Sequence, residues 1–295
     1  MLDVALARPA SVEEAMSILA EHGEDAKVVA GGTAVVLLLR QGLISPAVLV
    51  SVDRLEDLRT ISNGGPGVRL GSLVSLRQAE TSSLVRTHHP TLSASFAQVA
   101  NVRIRHAATV GGNLAEADYA SDAPCVLWAL RARARVRSVR GERELSIAEL
   151  LAGYYRTSLA PDELLTEVVV PDAAGPSGSC YQRLVTGSVE DRPCVGAAAV
   201  VRTDAEGRCE ELRVVASAVG PVPVELEEAE GMAIGQPRSE ELTAEIAATY
   251  ARRIDPLSDV RGSSWYRKQA IEVLVRRAVD AAFDAALNDL DRTAG

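Results

Sequence analysis

Two glycine pairs constrain this chain more than any other feature of its sequence. They stand in the segments Ala30-Gly31-Gly32-Thr33 and Thr109-Val110-Gly111-Gly112-Asn113. Glycine lets a backbone come close to a ligand, and consecutive N–H groups beside a hydroxyl can hold an anion such as a phosphate. A glycine pair can equally well do no more than satisfy a steep turn. Neither segment is a GxGxxG fingerprint or a Walker loop, so the common dinucleotide and nucleoside triphosphate folds are not favoured.

The first glycine pair lies in a predicted β-turn-α-β unit. Residues 27–30 are predicted to form a short strand, 34–41 a helix and 47–52 a second strand. Ser11-Val12-Glu13-Glu14 is a capping box that opens an amphipathic helix in front of this unit. The second pair is predicted to form another turn, and a helix from about Asp122 to Leu130 follows it.

The C-terminal part of the chain has a different order of elements. Asp172 to Gly178, which is rich in Gly, Pro and Ala, is the best linker candidate. Beyond it, the pattern predicts strands over 180–185, 195–203 and 208–219, and then helices over 239–253 and 263–290. A run of strands followed by a run of helices indicates an α+β domain.

Composition and charge narrow the classes of function. The net charge is −9, and no basic stretch carries interleaved aromatic residues, so nucleic-acid binding and anionic-membrane binding are disfavoured. The longest apolar run, Ala34 to Leu39, is far shorter than the ~20 residues that a membrane-spanning helix needs. Met1 to Ala10 lacks the basic and apolar pattern of a secretory signal, so we expect a cytoplasmic protein.

The cysteines and histidines predict no metal site. Cys125, Cys180, Cys194 and Cys209 contain no CxxC spacing, and the four histidines form no HExxH or comparable pattern. Thiols at such irregular spacings in a chain of this length are usually small buried side chains. We therefore expect the cysteines to be part of the core.

Four segments of the chain, taken together, match the motifs of one protein family. They are Val28 to Thr33, Val102 to Asp122, Arg156 to Pro171 and Asp259 to Arg267. The first two resemble the first and second FAD motifs of the FAD-binding (medium) subunit of the molybdenum hydroxylases, the family of carbon monoxide dehydrogenase and xanthine dehydrogenase. The third resembles the segment that closes the flavin domain, and the fourth resembles a signature of the C-terminal domain. The matches are in the family's order and spread over roughly the whole chain.

The resemblance implies an α+β protein that binds FAD noncovalently. Residues 1–172 would form a two-part FAD-binding domain of the PCMH type, with subdomains at about 1–52 and 53–172. Residues 178–290 would form a smaller α+β domain with a three-stranded antiparallel sheet and helices.

The resemblance also implies cofactor contacts in both glycine motifs. The first motif would wrap the FAD pyrophosphate, with the glycines and the threonine donating hydrogen bonds. The second would hold the diphosphate and ribityl region from the other side. The implied contacts are Val28, Val29, Ala30, Gly31, Gly32, Thr33 and Ala34 in the first motif, and Thr109, Gly111, Gly112 and Asn113 in the second.

Five further residues are candidate cofactor contacts, each with an alternative role. Asp122 would accept a hydrogen bond from an adenosine ribose hydroxyl, or it caps a helix. Arg183 would lie near the pyrimidine edge of the flavin, or it is a surface arginine. Leu165 would pack on the flavin, or it belongs to a core strand. Lys27 matches a basic position in some relatives, or it is a solvated strand edge. Glu116 matches a cofactor contact in some relatives, or it is an exposed loop carboxylate.

The sequence also departs from the family pattern. Ala34 supplies none of the polar groups that relatives can place there. The loop Thr186 to Arg192, which would lie near the isoalloxazine ring, has no aromatic residue, although some relatives cover the flavin with a tyrosine there. Tyr181 or Tyr119 could take its place. The four-cysteine insertion of the CoA-reductase branch is missing, so that branch is disfavoured.

As a function, the resemblance implies an oxidoreductase subunit that transfers electrons. Substrate would be oxidised at the molybdopterin centre of a large partner subunit. Electrons would pass through the 2Fe-2S clusters of a small partner subunit to this FAD, and then to an acceptor such as NAD or a quinone. The chain itself would then need no catalytic acid, base or nucleophile.

A hetero-oligomer, such as a heterotrimer, follows from that interpretation. We expect an exposed apolar surface for the partners that includes Trp265 and Tyr266, although packing within the terminal helices is the alternative for this pair. Two other functions stay open. One is a non-catalytic scaffold of the same fold, and the other is a stand-alone flavin oxidase.

Overall fold

The computed structural model describes residues 4–65 and 67–294, which divide into two compact units. The first unit comprises Met1–Ala97, Asn101–Asp118 and Ala132–Val170. The second unit comprises Gln98–Ala100, Tyr119–Arg131 and Pro171–Gly295.

The helices and strands of the described residues are numbered in chain order. The helices are α1 (Val12–His22), α2 (Val35–Arg40), α3 (Leu76–Thr81), α4 (Ser83–His88), α5 (Pro90–Gln98), α6 (Val102–Ala107), α7 (Val110–Glu116), α8 (Asp122–Ala129), α9 (Ile147–Leu150), α10 (Glu227–Gly231), α11 (Glu240–Arg253) and α12 (Ser264–Ala294). The strands are β1 (Ala5–Ala7), β2 (Ala26–Val29), β3 (Val48–Ser51), β4 (Ile61–Asn63), β5 (Gly67–Gly71), β6 (Arg133–Ser138), β7 (Gly141–Ser146), β8 (Leu151–Gly153), β9 (Arg156–Thr157), β10 (Leu164–Pro171), β11 (Ser177–Leu184), β12 (Val195–Thr203), β13 (Cys209–Ser217) and β14 (Val224–Glu225).

The predicted β-turn-α-β unit is confirmed at the start of the first unit. β2 and β3 pair in parallel, and β1 pairs in parallel with the other edge of β3. The side chain of Ser11 caps α1 by accepting a hydrogen bond from the Glu14 N–H at 3.1 Å. α1 buries an apolar stripe that includes Ala15 and Leu19 against Val50 of β3. The sheet is thereby fixed by a core on the α1 side.

A five-stranded sheet in the order β4-β5-β10-β6-β7 forms the rest of the sheet structure of the first unit, together with the small β8–β9 hairpin. In the sequence, residues 132–139 and 144–145 resemble a hairpin around Arg140-Gly141, and the antiparallel pairing of β6 and β7 around this turn confirms it. β10 pairs antiparallel with β6 through a register shift between Leu165 and Glu167. Helices α3 to α6 lead the chain from β5 to α7, which contains the second glycine pair.

The second unit contains one antiparallel sheet in the order β11-β12-β13-β14. The prediction of three strands is therefore wrong by one strand. β14 pairs only Val224 with Ala216 and Glu225 with Val215, and so short a strand carries no readable alternation of apolar and polar residues. α11 and α12 bury Tyr250, Ile271 and Phe283 in a core with the sheet.

The α+β class and the two-part organisation are confirmed. The domain ranges 1–172 and 178–290 stay a prediction, and α8 belongs to the second compact unit although the first range includes it. Among the described helices, none combines the length and apolar character that crossing a bilayer requires.

Candidate functional site

The first glycine motif leaves a row of backbone donors open. In residues 4–65 and 67–294, the N–H groups of residues 31–35 make no hydrogen bond to any backbone or side-chain acceptor. Gly31 is exposed and residues 32–35 are half-buried, so a ligand can reach this segment. Gly32 has a φ of +69°, which glycine adopts without strain. Since N–H groups withdrawn from water are normally paired, five consecutive open donors are suited to an anion with several acceptor oxygens.

Gly31 is required by close packing against the second FAD motif. A Cβ at this position would lie 1.8 Å from the carbonyl oxygen of Ala107 and 3.1 Å from the backbone nitrogen of Ala108. Ala107 is the last residue of α6, and Thr109 follows two residues later. Glycine at position 31 therefore lets the two motifs lie side by side within the first unit.

The second glycine motif is helical, so the prediction of a turn there is wrong. Thr109 is the N-cap of α7, and its Oγ1 accepts a hydrogen bond from the Gly112 N–H at 3.0 Å. The Asn113 N–H donates to the Thr109 carbonyl at 2.9 Å. A glycine pair costs a helix about 2 kcal/mol in propensity, which favours a turn in a sequence reading, but the cap and the tertiary contacts offset that cost.

Gly111 packs against the backbone of Ser72. Its N–H donates to the Ser72 carbonyl at 2.8 Å, and an added Cβ would lie 2.6 Å from the Ser72 Cβ. Because the N–H groups of Gly111 and Gly112 are both used internally, a cofactor contact at either residue would not involve an open backbone donor. The polar side chains that the motif adds are those of Thr109 and Asn113.

The remaining candidates of the first unit lie on three different elements. Lys27 is half-buried on β2, which is an edge strand. Leu165 is 5% exposed on β10, as a core-strand residue would be. Glu116 ends α7 and is half-buried, so it is not on an exposed loop. Ala34 is the N-cap of α2 and makes no side-chain capping bond.

In the second unit, Asp122 and Arg183 form one buried ion pair. Asp122 Oδ2 lies 3.0 Å from Arg183 Nη1, and Asp122 Oδ1 accepts a hydrogen bond from the Tyr181 hydroxyl at 2.7 Å. The Arg183 and Asp122 side chains are 9% and 5% exposed, so Arg183 is not a surface arginine. Ser121, rather than Asp122, is the N-cap of α8, so the capping role considered for Asp122 is also wrong.

Arg183 also connects α8 with the loop 186–192. Its Nη2 donates to the Val189 carbonyl, while its Nη1 contacts Asp122. The loop is exposed, and Thr186 Oγ1 ties its start to the Arg261 carbonyl at 3.0 Å. Since Asp122 and Arg183 touch each other, both would act on the same part of a ligand.

The C-terminal signature surrounds a half-buried carboxylate, that of Asp259. Asp259 accepts hydrogen bonds from Arg267 Nη2 at 2.5 Å, from the Arg261 side chain and from the Tyr119 hydroxyl at 3.0 Å. Burial acts to raise the pKa of Asp259, but these donors outweigh it and hold the pKa well below its usual range. Arg267 is fully buried and also donates to the carbonyls of Cys194 and Ala218. The signature therefore has a structural role in the second unit.

The two tyrosines considered as flavin covers are both held by carboxylates. Tyr181 is buried and its hydroxyl donates a hydrogen bond to Asp122. Tyr119 is half-buried and its hydroxyl donates a hydrogen bond to Asp259. Trp265, by contrast, is 70% exposed, so it does not pack within the terminal helices, and Tyr266 is 39% exposed.

The cysteines are free thiols, three of them buried and Cys180 half-buried. Burial raises the pKa of Cys125 to about 12 and that of Cys209 to about 11, so these thiols stay protonated at neutral pH. Within the described residues, no group of three or more His, Cys, Asp or Glu side chains could hold a metal ion. The prediction that the thiols are small core side chains is confirmed.

Comparison with known proteins places the chain in a family. The model of the FAD binding domain in molybdopterin dehydrogenase matches residues 2–173. The chain belongs to this family. The model of the CO dehydrogenase flavoprotein C-terminal domain matches residues 181–282. The resemblance found in the sequence is therefore confirmed, and the chain is an oxidoreductase subunit whose cofactor is FAD.

Similar proteins match over nearly the whole chain. The 6-hydroxypseudooxynicotine dehydrogenase complex subunit alpha of Paenarthrobacter nicotinovorans is 34% identical over 94% of this chain and 93% of its own length. The carbon monoxide dehydrogenase medium chain of Afipia carboxidovorans is 29% identical over 95% and 97%. A solved structure of carbon monoxide dehydrogenase from Hydrogenophaga pseudoflava, lacking the Mo-pyranopterin moiety, superposes with a TM-score of 0.92 at 27% identity, over 96% of this chain and 98% of that one.

Proposed function

We propose that this chain is the electron-transferring FAD subunit of a molybdenum hydroxylase complex, with FAD held noncovalently at the first glycine motif. The observation that supports this most strongly is the row of open N–H groups at residues 31–35. A pyrophosphate offers several acceptor oxygens and negative charge, which such a row can bind without any charged side chain. When bound, FAD supplies the redox chemistry.

The chain's own residues bind and orient the cofactor in this proposal. The backbone of residues 31–35 donates to the pyrophosphate, and the Thr33 hydroxyl adds a further donor. Thr109 and Asn113 contribute from the neighbouring motif, which the Gly31–Ala107 contact brings alongside. No side chain needs to act as an acid, base or nucleophile.

Asp122 and Arg183 are proposed as a joint cofactor contact. An isolated arginine beside the flavin would favour its reduced, anionic form. Because Asp122 lies 3.0 Å from the guanidinium, the pair presents much less net positive charge than Arg183 would alone. We therefore propose that the pair orients the cofactor and the loop 186–192 rather than shifting the flavin's charge state strongly.

The partners we infer are a large molybdopterin-binding subunit and a small subunit with 2Fe-2S clusters. The names of the relatives support this, since they include a medium chain and a subunit of a dehydrogenase complex. Electrons would reach this FAD from the iron–sulfur partner and leave to an acceptor such as NAD or a quinone. The exposed side chains of Val260, Trp265 and Tyr266 provide apolar surface for such a partner.

Cofactor content tests the binding part of the proposal. The purified chain should carry or take up FAD, and acid or heat should release it unmodified. A chain that neither shows flavin absorption nor takes up added FAD would fit the scaffold alternative instead. Preferential binding of FMN would contradict the proposed role of the pyrophosphate.

Co-expression tests the electron-transfer part. The chain is expressed with the products of the neighbouring genes and analysed by size-exclusion chromatography. Co-elution with a large and a small subunit, together with substrate-dependent flavin reduction, is expected. Equally fast reduction of the flavin by an organic substrate without either partner would identify a stand-alone oxidase.

A further inference from the structure

Glu80 is a buried carboxylate that belongs to neither glycine motif. It lies on α3 and is 8% exposed. Its Oε2 accepts a hydrogen bond from Arg105 Nε on α6 at 2.9 Å, and its Oε1 accepts one from Arg77 Nη1 on its own helix. The Arg105 side chain is 12% exposed, so this ion pair is largely withdrawn from water. One carboxylate thus joins two helices and neutralises two guanidinium groups.

α6 depends on polar contacts for its position. None of its residues is buried, so no apolar side chain anchors it in the core. Two of the contacts that hold it on α3 are the Glu80–Arg105 pair and the hydrogen bond from the Leu76 N–H to the Ala108 carbonyl at 2.8 Å. Removing one of these two contacts would let a helix without a core anchor shift.

A shift of α6 would change the position of the first glycine motif. Ala107 is the last residue of α6, and its carbonyl oxygen lies 1.8 Å from the position that a Cβ at residue 31 would take. Thr109, which caps α7, follows two residues later. The C-terminal end of α6 therefore packs against the first motif and leads into the second, which the bond from the Gly111 N–H to Ser72 also holds.

Glu80 is itself held rigidly. Its backbone carbonyl accepts hydrogen bonds from Ser93 Oγ at 2.7 Å and from Arg86 Nε at 3.1 Å. These bonds connect the end of α3 with α4 and α5. The carboxylate is therefore presented to Arg105 from a fixed base.

We propose that Glu80, through Arg105 and α6, is the positioning residue that sets the two glycine motifs at the spacing the FAD pyrophosphate requires. This inference rests on the proposed function, because it needs FAD to bind at the first motif. It assigns no direct cofactor contact to Glu80. Its effect is on the pre-organisation of the donors, which determines how much binding energy they deliver.

The test compares Glu80→Gln with a matched control, Glu167→Gln, in the full-length chain. Glu167 likewise lies between two arginines of the first unit, with Arg69 Nε at 2.8 Å and Arg135 Nη1 at 3.3 Å. Each substitution keeps the side-chain shape and removes one charge. FAD affinity is measured by titration of the apoprotein, and its thermal unfolding is measured in parallel.

Glu80→Gln should weaken FAD binding about tenfold, whereas Glu167→Gln should change it less than about twofold, where a tenfold change corresponds to about 1.4 kcal/mol. With saturating FAD, the 31P NMR signals of the bound pyrophosphate should shift in Glu80→Gln and stay in place in Glu167→Gln. A destabilisation without effect on the site would not move these signals. Equal affinities and unmoved signals in both variants would overturn the inference. The inference would also be overturned if Glu80→Gln bound FAD more tightly than the wild type and this gain in affinity disappeared at high salt. Glu80 would then act only by the repulsion between its charge and the pyrophosphate.

Arg105→Lys provides a second variant if Glu80→Gln does not fold. The ammonium keeps the charge but cannot reproduce the fixed geometry of the guanidinium, so a smaller loss of affinity and a smaller 31P shift are expected. An Arg105→Lys protein that matches the wild type in both measurements contradicts the positioning role. A wild-type chain that binds no FAD would instead refute the proposed function, so the two failures are distinguishable.

Discussion

The two glycine motifs have similar composition but differ in what their backbones do. At residues 31–35 the N–H groups have no acceptor within the described chain, whereas at Gly111 and Gly112 both N–H groups are bonded, to Ser72 and to Thr109. The helix that follows the first motif has Ala34 as its N-cap, which makes no capping bond, while Thr109 caps the helix of the second. The Thr109 hydroxyl, which has no counterpart at Ala34, contributes to this difference between the two backbones.

The comparison shows that a glycine pair can supply open N–H donors or can let two backbone segments pack closely. The sequence pattern does not distinguish these two roles. We expect substitutions in the first motif to act on FAD binding and folding together. In the second motif, loss of the Thr109 cap should act mainly on stability, and loss of the Asn113 amide on FAD binding. Three predictions test this division and a fourth tests the buried contact of Asp122 with Tyr181; they are given from the largest expected effect to the smallest.

Gly31→Ala should have the largest effect. The new Cβ would meet the Ala107 carbonyl oxygen at 1.8 Å, and neither backbone can yield easily. We expect a loss of at least about 3 kcal/mol in the free energy of unfolding, the upper end of the usual range for overpacking. FAD affinity should fall more than about 100-fold, which is about 2.7 kcal/mol.

Gly153→Ala is the control for Gly31→Ala. A Cβ at Gly153 would meet no atom within 4 Å, and its φ lies outside the left-handed region. Its stability and FAD affinity should stay near the wild-type values in urea unfolding and in titration. A Gly31→Ala chain that behaves like Gly153→Ala would show that the motifs do not need this close approach.

Tyr181→Phe should lower the stability of the isolated chain by roughly 1.5–3 kcal/mol, since it removes a hydrogen bond to a buried charged group. The hydroxyl lies 2.7 Å from Asp122 Oδ1. Tyr266→Phe, at a position that is 39% exposed, is the matched control and should be neutral. Chemical denaturation measures both, and equal midpoints would mean that the Tyr181–Asp122 bond contributes little.

Asn113→Ala should weaken FAD binding by about 1–3 kcal/mol, the cost of leaving polar partners without a hydrogen bond. Titration of the apoprotein with FAD gives the affinity, and circular dichroism reports the fold. Unchanged affinity with unchanged folding would show that the second motif has only a structural role.

Thr109→Ala should have the smallest effect, a loss of about 1 kcal/mol in stability through the removed N-cap. Thr109→Ser retains the hydroxyl that accepts from the Gly112 N–H at 3.0 Å and should recover most of that loss. If both variants lose stability equally, the methyl packing of Thr109 rather than its cap is the important feature.

Most of the fold was readable from the sequence because its signals are local. The helix start at Ser11, the turn at Arg140-Gly141 and the order of the predicted strands and helices beyond residue 178 each depend on neighbouring residues, and each is confirmed. The second half of the predicted capping box is wrong, because the Glu14 carboxylate accepts from the Ala10 N–H instead of the Ser11 N–H. β14 was not predicted because a two-residue strand is too short to show an alternation of apolar and polar residues. α7 was not predicted because its two glycines disfavour a helix. The hydrogen bond that supports it joins the Gly111 N–H to Ser72, a residue that is distant in the sequence.

The candidate site divides in the same way. The sequence by itself determined the family, the FAD cofactor and the two glycine motifs, since these are carried by residue types in a fixed order. Only the tertiary structure decided which N–H groups are open, why Gly31 has to be glycine, and that Asp122 meets Tyr181 and Arg183. Glu80 and Arg105 are 25 residues apart, and no local pattern pairs them. The physical reason is that hydrogen bonds and close contacts between distant residues depend on how helices and strands pack, and packing has no signature within a single segment.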